Sequence, residues 1–321
     1  MAIWIPACAG ITKKNKFPDG TKYWYPGKNS MVTATLITVV LAALISGAVL
    51  WITAPEGELP PLGLCAVLTA PMCWIMLHLV RGPMDTALQS FAGSDVWLPW
   101  LRSAWAPLTE EPVKLWPLLL PSVRNRVTRE NFIRFAIALG CGFAFGEVFT
   151  VAQLISERTP EVAAMPWYLL SGMISERLMT FCIHSGMTAI ALGVWKHRAG
   201  ITVGLFLAMI AHFLANFPIV MARRGWFGTD TETPLLIVYF WTISCTLLSA
   251  AGLYVEYQRS GNRTPAGKQI YGTTICPGCK REFERSLIAG VNLGIDLRYE
   301  RCPHCGQWHW TRRRKPVESS S

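Results

Sequence analysis

The sequence predicts an all-α polytopic membrane protein with about seven transmembrane helices, followed by a small, β-rich cytosolic module at the carboxyl end. Hydrophobic residues make up 51% and charged residues only 16% of the 321 residues, and mean hydropathy is +0.31. That composition is too apolar for an ordinary soluble domain. Several stretches also approach the roughly 20 apolar residues that a bilayer-spanning helix needs.

Seven stretches are predicted to span the membrane. They cover about residues 31–53, 61–80, 97–120, 132–156, 167–195, 201–222 and 234–257. The third contains four prolines, so we expect it to be kinked or broken. Membrane depth tolerates such irregular backbone only where it faces protein or a wet cavity.

Residues 1–30 precede the first span and hold five lysines. They lack the continuous apolar core of a signal peptide, and the run from Trp4 to Lys13 resembles the translation of a dispersed bacterial intergenic repeat. Two interpretations stay open. The native chain starts at Met31, or residues 1–30 form a disordered basic arm.

Lys and Arg concentrate in alternate loops, and this excess marks the cytoplasmic side of a membrane protein. One set of loops carries Arg124, Arg126, Arg129, Arg134, Lys196 and Arg198 and precedes the basic tail that begins at Arg259. We therefore expect a multi-pass protein of the bacterial cytoplasmic membrane with its carboxyl terminus in the cytoplasm. Seven spans then place the lysine-rich residues 1–30 outside, which conflicts with the same rule.

The composition changes after the last span, where residues 258–275 read as a polar linker. Two Cys-x-x-Cys pairs follow within residues 276–321: Cys276 with Cys279 and, 22 residues later, Cys302 with Cys305. Two such turns complete the tetrahedral ligand shell of a structural zinc ion, so the module is predicted to be a zinc ribbon. Two disulfides would require an oxidising compartment instead of the cytosol.

The ribbon alternates in a strand-like way at Ile295, Leu297 and Tyr299 and again at Trp308 and Trp310. A segment of about 50 residues cannot build a sufficient core, so bound metal would supply most of its folding free energy. Its basic, aromatic end favours a contact with the bilayer surface or with a cytosolic protein partner over a contact with nucleic acid.

Ionisable residues inside the spans form four clusters: Glu110 and Glu111 with Lys114, then Glu147, then His184, then His212 with Asn216. Ionisable groups in hydrocarbon are costly, so each is a functional-site hypothesis by default. Together they predict one buried reaction centre.

The spacing predicts how these residues face one another. Glu110 and Lys114 are one helical turn apart and are expected to pair, with Glu111 pointing elsewhere. Gly142 and Gly146 form a small-xxx-small face that brings Glu147 into a tight helix contact. Arg177 shares a face with His184, with Glu176 as a structural counter-ion.

His212 and Asn216 share a face of the next span, which allows the amide to steady the imidazole or the substrate. The two histidines with Glu147 are also a plausible ligand set for a catalytic zinc ion, which needs three protein ligands and one open position.

The motifs together resemble the PrsW family of intramembrane proteases, which is similar to the CAAX-protease and bacteriocin-processing superfamily. They are Glu-Glu-x-x-Lys at 110–114, Gly-Phe-x-Phe-x-Glu at 142–147, a membrane His at 184 followed by Gly193, and His-x-x-x-Asn at 212–216. The resemblance covers about residues 100–220 and implies a multi-helix membrane fold. It also implies that Glu110, Glu111, Glu147, His184 and His212 line the active site, supported by Lys114 and Asn216.

The resemblance further implies hydrolysis of a peptide bond in a membrane-associated protein substrate, such as an anti-sigma factor. Two mechanisms stay open: Glu110 or Glu111 activates water while His184 or His212 stabilises the oxyanion, or zinc held by Glu147, His184 and His212 activates it. Two functions of other classes also stay open: a proton-coupled transporter, and a membrane-tethered ribbon adaptor with an inactive protease-like body.

Overall fold

A computed structural model describes residues 30–55, 57–92, 97–197, 200–227, 232–259, 273–285, 290–292 and 297–312. The longer helices are α1 (Ser30–Thr53), α2 (Leu59–Ile75), α3 (Gly82–Ala92), α4 (Leu98–Lys114), α5 (Phe132–Arg158), α6 (Ser171–His197), α7 (Ile201–Arg223) and α8 (Glu232–Arg259). A π-helical turn, Met76–Arg81, joins α2 to α3, and a 3-10 turn, Trp116–Leu119, follows α4. The predicted amino-terminal segment, apart from residue 30, and most of the predicted linker lie outside the described residues.

Six helical stretches of the described chain are long and apolar enough to cross a membrane: Ser30–Thr53, Leu59–Phe91, Phe132–Arg158, Trp167–His197, Ile201–Ala222 and Thr233–Arg259. They correspond to six of the seven predicted spans. The third predicted span is not among them, because α4 has 17 residues, contains Pro107 and Pro112, and ends at Lys114. The break that its prolines predict is therefore present.

The packing of α2 against α5 nevertheless shows that the chain crosses the bundle once more between these two helices. A Cβ atom added at Gly142 would overlap the carbonyl oxygen of Ala66, and one added at Gly146 would overlap that of Ala70. The equal spacing of these contacts shows that α2 and α5 run parallel. The chain between two parallel helices must return to the side from which the first one started, and α4 with the turns after it makes that return pass.

The bundle therefore has two ends. At the end that we call the Arg259 face, Glu58 pairs with Arg134 and the Arg129 side chain donates to the carbonyl of Lys196 at 2.8 Å. At the opposite end, the Arg81 face, α1 begins and α2 and α5 end. The seven passes alternate in direction from α1 to α8, and α3 continues the second pass through the π-helical turn.

Helix α5 is the centre of the bundle, since most of its side chains from Phe132 to Ile155 are buried. It packs against α1, α2 and α6. Helices α1, α7 and α8 expose large apolar side chains such as Leu44, Phe206 and Leu248, as expected of helices that contact lipid.

The carboxyl-terminal module contains the short strands β1 (Thr273–Ile275), β2 (Glu282–Glu284), β3 (Gly290–Asn292), β4 (Leu297–Arg301) and β5 (Trp308–Arg312). β1 pairs antiparallel with β2, and β3, β4 and β5 form a second antiparallel sheet in that order. The predicted strands at Leu297 and Trp308 are confirmed, whereas Ile295 lies outside the described residues.

Candidate active site

A cavity of about 1260 Å³ extends from the Arg81 face to the middle of the bundle. Its outer part is lined by Arg81, Asp85, Glu157 and Arg224, among others. Its inner part is lined by Glu110, Glu147, Glu176, Arg177, His184, His212 and Asn216. Residues from four separate helices, α4, α5, α6 and α7, thus meet at one polar chamber.

The two adjacent glutamates of α4 face different partners. The Glu110 carboxylate borders the cavity and accepts a hydrogen bond from Arg81 Nη1 at 2.9 Å. Glu111 lies behind the cavity wall, where its Oε1 atom is 2.5 Å from Lys114 Nζ and 2.5 Å from His212 Nδ1. The prediction that Glu110 pairs with Lys114 is therefore wrong, because Lys114 pairs with Glu111.

The pairing follows ordinary helix geometry together with the position of Arg81. Residues three apart and residues four apart are both neighbours on an α-helix, so Lys114 can reach either glutamate. Arg81 Nη1 contacts Glu110, and Lys114 lies against Glu111, three residues earlier.

Arg81 is a site residue that the sequence motifs did not predict. The π-helical turn Met76–Arg81 ends at this residue and directs its side chain to Glu110. Such turns contain one more residue per turn than an α-helix and occur frequently at functional sites. A guanidinium at the end of a predicted span was the available signal in the sequence.

A second ionic group surrounds His184. Glu147 Oε2 lies 3.0 Å from His184 Nε2, and Glu147 Oε1 lies 2.9 Å from Arg177 Nη1. Arg177 also donates to Glu176 at 2.6 Å. The predicted roles of Arg177 and Glu176 as neighbouring counter-ions are consistent with this arrangement. All four side chains are buried, so each charge depends on its neighbours for stabilisation.

The two groups meet at the imidazole rings. The ring centroids of His184 and His212 are 5.8 Å apart. His212 Nε2 lies 3.8 Å from Glu110 Oε2, a separation that a bridging water can fill. Asn216 lies one turn beyond His212 on the cavity wall. The side chain that holds His212 Nδ1 is Glu111, and not the amide of Asn216.

The ligand set suggested by the sequence does not fit a metal ion as these residues are arranged. Glu147 uses one oxygen to contact Arg177 and the other to contact His184. Within the described ranges, the one group of three or more potential ligands whose atoms all lie within 4.8 Å of one another is the cysteine group of the ribbon. His184 Nδ1 is buried and has no hydrogen-bond partner among the described residues. It is therefore a spare donor or acceptor on the cavity wall.

The cysteine group does fit a metal ion. The Sγ atoms of Cys276, Cys279, Cys302 and Cys305 lie within 4.8 Å of one another. The amides of Cys279 and His304 donate to Cys276 Sγ and Cys302 Sγ at 3.5 and 3.4 Å. Burial opposes ionisation of Cys276, but contacts with the Cys279 amide and with the thiols of Cys302 and Cys305 lower the pKa of its thiol to about 6. Four convergent sulfur atoms with amide donors are the donor set of a structural zinc site.

Comparison with known proteins supports the resemblance noted in the sequence. The model of a family described as "PrsW family intramembrane metalloprotease" matches residues 31–247. Neither the search of curated proteins nor that of solved structures found a match. The matched region covers the first six passes and the first half of α8, which is the seventh. It excludes the cysteine-rich module.

Proposed function

The chain belongs to the PrsW family of intramembrane metalloproteases, and from this premise we propose that it hydrolyses a peptide bond of a membrane-associated protein, with Glu110 as the general base. The observation that carries this assignment is the facing pair of Glu110 Oε2 and His212 Nε2, 3.8 Å apart on the wall of the buried cavity. Glu111 is buried behind the wall and already bonded to Lys114 and His212.

Water held between Glu110 and His212 transfers a proton to the Glu110 carboxylate, and the resulting hydroxide attacks the carbonyl carbon of the substrate. Protonated Glu110 then gives this proton to the leaving amide nitrogen as the carbon–nitrogen bond breaks. The amide of Asn216 and the ring of His184 lie on the same wall and would donate to the oxyanion.

The remaining charges position these groups. Lys114 Nζ pairs with Glu111, and Glu111 accepts from His212 Nδ1–H, which leaves Nε2 to face Glu110. Arg81 holds the other oxygen of Glu110. Each step is assigned to the chain's own residues, because Glu147 is engaged by Arg177 and His184.

We propose that the substrate reaches this cavity from the extracytoplasmic side. The Arg259 face carries Arg124, Arg126, Arg129 and Lys196, and the excess of basic residues favours a cytoplasmic location for that face. The cavity opens at the opposite, Arg81 face. The identity of the substrate as an anti-sigma factor stays a prediction that rests on the family resemblance alone.

The test is hydrolysis of a panel of single-span test proteins by the purified full chain in lipid nanodiscs. Glu110→Gln keeps the shape of the residue but removes its basicity, and we expect it to reduce the rate by about 10²–10⁴-fold. Glu161→Gln, an exposed glutamate beyond the end of α5, is the matched control and should cut at the wild-type rate. Wild-type activity of Glu110→Gln would exclude Glu110 as the base.

For the ribbon, we propose one structural zinc ion bound by the four cysteines. The full chain should contain about one zinc per molecule, and a chain ending at Arg259 should contain none. Cys276→Ser should lower the metal content of the full chain to the level of the truncated one. Zinc that survives truncation but is lost with His184→Ala would instead assign a metal to the membrane site.

A further inference from the structure

We propose that the groove between α6, α7 and α8 binds the transmembrane segment of the protein substrate, an inference that rests on the proposed proteolytic function. The groove has a volume of about 800 Å³. Its floor is α6 from Ile183 to His197, and one wall is α8 from Cys245 to Arg259. It extends from the middle of the bundle to the Arg259 face.

The groove and the catalytic cavity share part of their lining. Ile183, Met187, Ala215 and Cys245 line both of them. Ile183 directly precedes His184, and Ala215 lies between His212 and Asn216 in the sequence. A polypeptide that lies in the groove therefore arrives at the two histidines without leaving the surface of the protein.

The lining is suited to a helix. Ala189 and Gly252 are small residues of the lining, and a Cβ atom added at Gly252 meets no atom within 4 Å. Another backbone can therefore approach closely there, which is how helices associate in membranes. Glu256 and Arg259 lie at the Arg259-face end, where the polar flank of a spanning helix meets the headgroups. An acyl chain packs on any apolar surface and makes no use of a small-residue lining.

The inner end of the groove determines how the bound segment continues. Trp241 Nε1 donates to the carbonyl of Ala215 at 3.0 Å, and this contact joins α8 to α7 just below the groove. The lining that the groove shares with the polar cavity lies at this end, so the bound chain continues into that cavity. Irregular backbone is tolerated at membrane depth where it lines such a cavity, and an unwound segment exposes its peptide bonds to Glu110.

Gly252 provides a specific probe of the groove. A Cβ atom added there meets no atom within 4 Å, and the same holds for Gly47 of α1, which lies outside the groove. A photo-crosslinking p-benzoylphenylalanine residue is therefore accommodated at either position. The ligand to be used is a synthetic single-span peptide of Leu, Ala and Gly with Lys at both ends, added to the full chain in nanodiscs.

We expect the peptide to crosslink at position 252 at least about tenfold more than at position 47, since helix contacts form only where backbones approach closely. Gly252→Leu should slow cleavage of the spanning peptide by about tenfold by filling the groove, whereas Gly47→Leu should not. Adducts with lipid alone, equal crosslinking at both positions, or wild-type cleavage by Gly252→Leu would overturn the proposal. Crosslinking at position 252 without any cleavage by the wild type would retain the groove and count against hydrolysis.

Discussion

Lys114 has no exposed surface, and its ammonium group is held between a carboxylate and an aromatic ring. Glu111 Oε1 lies 2.5 Å from Nζ, and the centroid of Phe143 lies 5.2 Å from it. Removal of one partner from a buried ion pair leaves an uncompensated charge, whereas removal of both charges together is often tolerated. A comparison of the single and the double substitution therefore separates the effect of Glu111 on stability from its effect on His212.

Glu111→Gln is expected to lower the free energy of unfolding by about 3–5 kcal/mol, because the ammonium group of Lys114 is left without a carboxylate. The double substitution Glu111→Gln with Lys114→Met should recover most of that loss. Hydrolysis should stay impaired in both variants, because His212 Nδ1 loses its anionic acceptor. Thermal unfolding in detergent and the nanodisc assay measure the two effects.

The exposed pair Glu256–Arg259 is the control for stability. Its side chains are 34% and 69% exposed, so Glu256→Gln should change the free energy of unfolding by less than about 1 kcal/mol. A double variant that is no more stable than Glu111→Gln would contradict the assignment of a compensated buried pair.

The sequence was sufficient to identify which residues meet, because ionisable side chains inside apolar spans are few. It was not sufficient to predict how they pair. The i,i+3 and i,i+4 spacings leave both glutamates open to Lys114, and the approach of Arg81 to Glu110 depends on a π-helical turn. That turn departs from α-helical spacing, and the sequence shows only a guanidinium at the end of a predicted span.

At the scale of secondary-structure elements, the contact between α2 and α5 determines where Glu147 lies. Gly146 immediately precedes Glu147 and contacts the backbone of Ala70. The small-xxx-small face predicted from Gly142 and Gly146 is confirmed by this close approach. Any added side chain must separate the two helices and would move Glu147 away from His184 and Arg177.

Gly146→Ala is therefore expected to destabilise the protein by about 1–3 kcal/mol, the usual range for overpacking of a tight contact. It should also lower hydrolytic activity at temperatures where the variant is still folded. Gly63→Ala on α2 is the matched control, since nothing lies within 4 Å of its added Cβ. Alanine there should be neutral or stabilise the helix by about 0.5–1 kcal/mol. Equal melting temperatures for both variants would contradict the close contact at Gly146.

The ribbon shows a second limit of prediction at this scale. The alternation of Leu297, Tyr299, Trp308 and Trp310 correctly predicted strands but not the side on which the sheet packs. The aromatic side chains are exposed, while the opposite face buries Arg298, Glu300 and Thr311. Glu300 pairs there with Arg285 at 2.9 Å. In so small a sheet, the few side chains that contact it determine which face is buried. Such partners, among them Arg285, come from segments without a periodic pattern.

At the scale of the whole molecule, the density of basic residues follows the alternation of the passes. Arg124, Arg126 and Arg129 lie in the connection between α4 and α5 at the Arg259 face, whereas the mouth of the cavity at the Arg81 face carries both signs, with Asp85 and Glu157 beside Arg81 and Arg224. The connection lies at the Arg259 face only if α4 returns the chain across the bundle. Hydropathy alone finds six passes because α4 is short and bears Glu110, Glu111 and Lys114.

The seventh pass can be tested by insertion of alkaline phosphatase, which needs disulfides and is therefore active only outside the reducing cytoplasm. Insertion after Phe91, which is 91% exposed, precedes α4 and should give active phosphatase. Insertion after Arg126 follows α4 and should give inactive phosphatase, and insertion after Glu161, beyond the end of α5, should again be active. A green fluorescent protein inserted at the same positions should give the opposite pattern. Equal phosphatase activity after Phe91 and Arg126 would mean that α4 does not cross, which is incompatible with the parallel contact of α2 and α5 through Gly142 and Gly146.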